Sequence, residues 1–108
     1  MSSSAPFRHA PVDWTPDAAR SLAAQENLEL QDDHWVALRG LQEFYERNEP
    51  GTFQLRALKD ALEEKFHHKG GMKYLYVLFP GGPVAQGCRL AGLKAPPGAT
   101  DLSFGSVA

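Results

Sequence analysis

The chain has 108 residues, of which 43% are hydrophobic and 22% are charged, and its formal net charge is −2 at pH 7. This length suits a single domain with one modest core, and no apolar run approaches the ~20 residues that a membrane-spanning helix needs. The one cysteine, Cys88, excludes an internal disulfide and suggests a reducing cytoplasm, and we expect no secretory signal because residues 1–10 lack its basic start and apolar run.

The charge is divided unevenly along the chain. Residues 1–50 hold four basic and nine acidic residues, a net charge of −5, whereas residues 51–108 hold seven basic and four acidic residues, a net charge of +3. Such a division can orient a protein toward an acidic partner or toward phosphate. A solvated surface with uneven charge explains the same pattern, so both interpretations stay open.

The first predicted helix has a clear start. Residues 1–12 show no period, and we expect them to form a mobile or extended arm. Thr15 can cap a helix that has Pro16 in its first position, where the missing N–H does no harm. An alanine- and leucine-rich stripe then carries this helix to about Gln25 or Glu26.

Two further helices follow. The second is predicted from Gln31 to about Asn48, before a Pro-Gly pair, and its apolar stripe is interpreted as core. That stripe consists of Trp35, Leu38, Leu41, Phe44 and Tyr45. The third helix is predicted to begin at Thr52 and to reach about Phe66, and the glycines in residues 67–71 end it.

The remaining elements are short. Residues 72–79 and 83–91 are predicted as a fourth and a fifth helix, separated by a turn at residues 80–82. Residues 93–108 are turn-rich and aperiodic, which predicts an irregular C-terminal arm. The sequence therefore predicts a mainly all-α fold in which residues 13–92 form an orthogonal bundle of about five short helices.

Metal and phosphate chemistry are not indicated. His67 and His68 are adjacent, so on a helix their side chains diverge by about 100° and do not easily share one ion. The Gly81-Gly82-Pro83 turn lacks the Lys and Ser or Thr of a phosphate-binding loop, and the serines follow no nucleophile-elbow pattern. We expect no metal, no cofactor and no conventional hydrolase activity.

A basic face is the candidate contact surface. Its residues span the third and fourth predicted helices on both sides of a glycine turn, which resembles a helix-turn-helix in outline. They are Arg56, Lys59, Lys65, Lys69 and Lys73, and Arg89 is a further candidate. Acidic Asp60, Glu63 and Glu64 interrupt this face, and the sequence pI of about 6.0 is low for a dedicated nucleic-acid binder. Protein or nucleic-acid contacts remain possible interpretations, and the sequence does not favour nucleic acid.

The segment around Cys88 is the most informative part of the chain. The runs Lys73-Tyr-Leu-Tyr-Val-Leu-Phe-Pro-Gly-Gly-Pro and Gln86-Gly-Cys-Arg-Leu-Ala-Gly-Leu closely resemble the DsrC/TusE family of small sulfur-relay proteins. Asp13-Trp14 and Asp33-His34-Trp35 match the family as well, and the resemblance covers about residues 12 to 99. Family members serve dissimilatory sulfur metabolism, including complexes of the sulfite reductase type, and tRNA thiolation.

The resemblance implies a helical bundle whose C-terminal arm carries sulfane sulfur as a persulfide on a penultimate cysteine. Cys88 matches a second cysteine that one branch of the family has eleven positions before the carrier. The corresponding position here is Ala99, and the chain continues past it to Ala108. The N-terminal stretch is also short for the family's β-hairpin, which we expect to be reduced or absent.

These departures leave the role of Cys88 open. It is either a residual site for a persulfide or a mixed disulfide, or a small, partly buried hydrophobe within a helix. The resemblance implies a cytoplasmic sulfur-relay protein that works with protein partners, through Cys88 or by modulating those partners, and at most a sulfurtransferase-type carrier. The alternatives are a regulatory paralogue that uses the basic face on DNA or protein, and a scaffold subunit of a larger sulfur-metabolising complex.

Overall fold

The structure is a computed structural model that describes residues 9–48 and 54–96. Over these ranges the chain forms α1 (Pro16–Gln25), α2 (Asp32–Arg47), α3 (Leu55–Lys65), α4 (Met72–Leu78) and α5 (Ala85–Ala91), with a short 3₁₀ turn at His67–Lys69. The same ranges contain no strand, so the predicted all-α fold is confirmed. The rest of the two predicted arms, at residues 1–8 and 97–108, lies outside the described residues, and the proposed domain boundaries stay predictions.

The helix starts follow local chemistry. The Thr15 hydroxyl accepts a hydrogen bond from the Ala18 N–H at 3.1 Å, so it caps α1 as predicted. Helix α3 begins at Leu55, later than predicted, because the backbone of Gln54 is extended and takes the capping position. Thr52, the predicted start, lies outside the described residues.

Helix α5 also begins later than predicted, at Ala85 instead of Pro83. Val84 takes the capping position, and its carbonyl oxygen accepts a hydrogen bond from the Cys88 N–H at 2.9 Å.

The core lies between α2 and the helices around it. Helix α2 packs against α3 and α5, α1 packs against α5, and α4 packs against α3. The largest fully buried apolar side chains come from α2, α3, α4 and α5 and from the residue that caps the end of α4: Leu38, Leu41, Leu58, Leu62, Leu75, Leu90 and Phe79. The predicted α2 stripe is only partly core, since Trp35, Phe44 and Tyr45 are half-buried and pack against its edge.

Helices α2 and α5 approach each other closely at Gly87. A Cβ atom at this position would lie 2.8 Å from Leu41 Cδ1, well inside contact distance. The missing side chain therefore lets α5 settle onto α2, and it places the neighbouring residue, Cys88, directly against that helix. No helix among the described residues is both long and apolar enough to cross a bilayer.

Candidate functional site

The thiol of Cys88 is enclosed by the fold. The residue sits in the middle of α5 with 0% of its surface exposed, and its Sγ lies 3.8 Å from the hydroxyl oxygen of Tyr45 on α2. Burial raises the pKa of Cys88 to about 11, so near neutral pH the sulfur is a protonated thiol. A thiolate is the nucleophile in sulfur chemistry, and the closed structure therefore holds Cys88 in its unreactive form. Its role as a persulfide or mixed-disulfide site stays a prediction.

Three side chains bind backbone carbonyl groups where α5 ends. Trp14 Nε1 donates to Leu90 O at 2.7 Å, Gln42 Nε2 donates to Ala91 O at 3.0 Å, and the Tyr45 hydroxyl donates to Lys94 O at 2.5 Å. We call Trp14, Gln42 and Tyr45 the carbonyl clamp. Helix ends leave their last carbonyl groups without intrahelical partners, and the clamp supplies donors for two of them and for the chain beyond.

The carbonyl clamp places hydrogen-bonding groups in a largely apolar interface. Gln42 is buried, and its Oε1 accepts no hydrogen bond from the described residues, at a cost of about 1–3 kcal/mol. Burial raises the pKa of the Tyr45 hydroxyl well above its ordinary value, so this group stays protonated and remains a donor.

The turn after α5 is shaped by Gly92. Its backbone is left-handed, with φ at +79°, and its N–H donates to Arg89 O while the Leu93 N–H donates to Cys88 O at 2.8 Å. This pairing is the glycine-dependent ending that many helices use. Trp14 covers the turn, because a Cβ at Gly92 would lie 2.8 Å from Trp14 Cδ1. The left-handed turn and the close approach of Trp14 thus both favour glycine at position 92.

Arg89 ties α5 to the end of α1. Its Nε and one terminal nitrogen donate to the two carboxylate oxygens of Glu26 at 3.0 and 2.9 Å, and Gln86 Nε2 donates to the same carboxylate at 2.7 Å. The Arg89 hydrogen bonds hold the pKa of Glu26 below its ordinary value, against the opposing effect of burial. Arg89, a predicted contact residue, is therefore engaged in an internal ion pair.

Replacing Glu26 with glutamine removes the negative charge that pairs with Arg89, and it is expected to lower the free energy of unfolding near pH 7. The loss should be only about 1–2 kcal/mol, because the pair is partly exposed and solvent screens it. A lowered folded-state pKa gives stability that is present above the unfolded-state pKa and is lost as pH falls through the folded-state value. Urea titrations of the native chain should therefore show a larger stability loss from about pH 7 to about pH 3 than those of Glu26→Gln. Glu29→Gln, at an exposed glutamate, is the control and should behave like the native chain. Equal pH slopes for Glu26→Gln and the native chain would contradict the prediction.

The structure distributes the other predicted contact residues over separate elements. Lys69, at the 3₁₀ turn, donates to Asp33 Oδ2 at 2.9 Å, and the Tyr74 hydroxyl donates to the same oxygen. Lys73 is exposed on α4, and Arg56 is exposed on α3. The remaining candidates on α3 are Lys59, which is half-buried, and Lys65, whose stem lies over Gly40. Lys69 and Arg89 are thus paired with carboxylates, and contacts of these residues with partners stay predictions.

The comparison with known proteins identifies the family. The family model for DsrC like protein matches residues 3–99. The chain belongs to the DsrC family. It is 40% identical over 84 residues to "Sulfurtransferase TusE homolog" of Haemophilus influenzae, an alignment that covers 77% of this chain and 76% of the relative. It is 41% identical over 85 residues to "Sulfurtransferase TusE" of Salmonella typhimurium, with 77% and 76% covered.

A solved structure supports the same assignment. The NMR structure of Allochromatium vinosum DsrC matches with a TM-score of 0.65 and 45% sequence identity, over 80% of this chain and 77% of that one. The resemblance to the DsrC/TusE family is therefore confirmed, and so is the helical bundle that it implied. The family match extends to Ala99, which lies outside the described residues.

A buried imidazole group of this DsrC-family chain, that of His34, serves the fold. In residues 9–48 and 54–96, no three His, Cys, Asp or Glu side chains come together as a metal site. His34 is buried, with Nδ1 accepting from the Gln31 N–H at 3.0 Å and Nε2 donating to Leu78 O at 2.7 Å. This histidine joins the start of α2 to the end of α4.

The sequence does not predict the carbonyl clamp. The sequence marks Trp14 and Tyr45 only as family matches and a core aromatic, and no motif includes Gln42. The available signal was Gln42 itself, a polar residue one position after Leu41 on the buried face of α2. A buried amide needs a partner, but its acceptors are backbone carbonyls of α5, which no residue type reveals.

Proposed function

We propose that this DsrC-family chain is a sulfur-relay protein that binds other proteins of the relay and modulates sulfur transfer among them. Relatives at about 40% identity are named sulfurtransferases, and the match spans more than three quarters of each chain. We further propose a cytoplasmic location, because the single cysteine has no partner for a disulfide within the chain.

The burial of Cys88 is the observation that favours modulation of relay proteins over sulfur carriage. A sulfur carrier needs a thiolate that enters the active site of its partner, whereas this thiol has no exposed surface and a raised pKa. Alanine at position 99 has no sulfur atom, so the family's arm chemistry is unavailable there. Binding and modulation require the fold alone, and the fold is retained.

DNA binding receives no support from the described residues. Lys69 and Arg89 neutralise carboxylates within the fold, and acidic residues interrupt the basic face along α3. Nonspecific binding to DNA depends on cations that are free to neutralise phosphates.

A competition assay tests the proposal by measuring the transfer of radioactive sulfur between two relay proteins in the presence of this chain. A persulfide-loaded protein donor passes radioactive sulfur to the TusE homolog of Haemophilus influenzae, with and without an excess of this chain. We expect the chain to reduce the label on the TusE homolog by more than about half at a tenfold excess, through occupancy of a shared donor surface. The chain itself should stay unlabelled, and Cys88→Ala should compete equally well.

The three outcomes are distinct. Label on this chain that disappears in Cys88→Ala would make Cys88 a carrier and would replace modulation by sulfur carriage. A transfer that is unchanged by the chain, with no label on it, would contradict the relay function for this donor class. Heat-denatured chain is the control for nonspecific effects of added protein.

A further inference from the structure

The carbonyl clamp joins three parts of the chain that are far apart in sequence. Trp14 precedes α1, Gln42 and Tyr45 lie one turn apart on α2, and all three bind the segment where α5 ends. We propose that the clamp positions the chain after α5 and keeps Cys88 closed, so that movement of residues 93–96 away from Tyr45 opens the thiol. This goes beyond the proposed function, because it holds whether or not Cys88 carries sulfur.

The Tyr45 hydroxyl links the thiol to the outgoing chain. It donates to Lys94 O at 2.5 Å, and its oxygen accepts from Cys88 Sγ at 3.8 Å. One phenol therefore contacts both the buried sulfur and a backbone group six residues further along. Displacing either contact removes one of these two hydrogen bonds from the Tyr45 hydroxyl in a half-buried position, which is unfavourable for a polar group.

The segment after α5 is held by packing as well as by this hydrogen bond. Leu93 and Ala95 pack against the core, and Pro96 is buried. The Leu93 N–H donates to the carbonyl oxygen of Cys88 itself, at 2.8 Å. The segment is therefore bonded to the backbone of Cys88 through Leu93, and through Lys94 to Tyr45, whose hydroxyl contacts the thiol.

These contacts predict a local opening. Detaching residues 93–96 breaks the Tyr45–Lys94 and Leu93–Cys88 hydrogen bonds, whereas the contacts of α2 with α3 remain. Openings of this size require less free energy than global unfolding, and ligands that bind the open form increase its population. A protein partner that binds the C-terminal segment in a detached form would thus expose Cys88.

Thiol labelling of the full chain with dithiodipyridine tests the proposal, because Cys88 is the only thiol and the released thiopyridone is read by absorbance. The Tyr45→Phe variant loses only the hydroxyl. We expect it to label about three- to tenfold faster than the native chain, as the loss of one hydrogen bond implies. Tyr76→Phe, at a tyrosine that is 50% exposed on α4, is the matched control and should label at the native rate.

A second measurement separates local opening from unfolding. Labelling of the native chain through a local opening should change little with urea well below the unfolding transition, whereas labelling through global unfolding rises steeply. A Tyr45→Phe rate equal to the native rate would overturn the proposal. A native rate that follows the global unfolding equilibrium at every urea concentration would overturn it too, even if Tyr45→Phe does not fold.

Discussion

Replacing Ala99 with cysteine is expected to turn the chain into an acceptor of sulfur from a persulfide-loaded relay protein, with a mass gain of about 32 Da for one sulfur atom. The family resemblance places the sulfur-carrying cysteine at this position, and the described residues have the family fold. Burial raises the pKa of Cys88, so a thiol of ordinary pKa, about 8.5, is ionised to a far greater extent near neutral pH. Intact-mass spectrometry after incubation measures the adduct, and the native chain should show none.

A second introduced cysteine makes the test specific for position. Ser106→Cys adds a thiol to the same C-terminal stretch, seven residues after Ala99. Both variants should react with a small persulfide donor, but only Ala99→Cys should accept sulfur efficiently from the protein donor. Equal loading of both variants by the protein donor would contradict the prediction, because transfer would then not depend on the position of the thiol.

Substituting alanine for Gly92 is expected to lower the free energy of unfolding by about 2–5 kcal/mol. The left-handed backbone at φ +79° disfavours any residue with a Cβ, and the new methyl group would meet Trp14 at 2.8 Å. The indole must then move, which weakens its hydrogen bond to Leu90. Urea denaturation followed by far-ultraviolet circular dichroism measures the change.

Gly82 provides the matched control. Its φ is +104°, but the nearest atom to an added Cβ is that of Ala85, at 4.0 Å. Gly82→Ala therefore carries the backbone strain without the collision, and it should cost only about 1–2 kcal/mol. Equal losses for the two variants would mean that Trp14 adjusts freely and that its packing against Gly92 contributes nothing measurable.

The helices were predictable because their signals are local. Thr15 and Pro16 marked the start of α1, and the Gly-Gly pair at residues 70–71 marked the break before α4. The start of α3 was predicted too early, since residue type alone favoured Thr52 whereas the conformation of Gln54 decides it. Local patterns thus determine which helices exist, and backbone details move their ends.

The candidate site was predictable only as a position in the sequence. The family motif pointed to Cys88 and to the missing sulfur at Ala99, but whether the thiol is reactive depends on burial. Gly87 lets α5 approach α2, and Tyr45 on α2, 42 positions from Gly87, contacts the buried sulfur. The spacing of residues in the sequence does not reveal tertiary contacts of this kind, so the burial of Cys88 is visible only in the structure.

The sequence separation of the carbonyl clamp bears on the order of folding. Its hydrogen bonds close loops of 76, 49 and 49 residues, from Trp14 to Leu90, Gln42 to Ala91 and Tyr45 to Lys94. Long loops carry the larger closure entropy, and a chain is synthesised from its N-terminus, so these contacts form after the helices that they connect. Until these contacts form, the surroundings that enclose Cys88 are incomplete, and its thiol is open to reagents and partners. For this protein, the interval before the C-terminal turn docks is when its one thiol is most accessible.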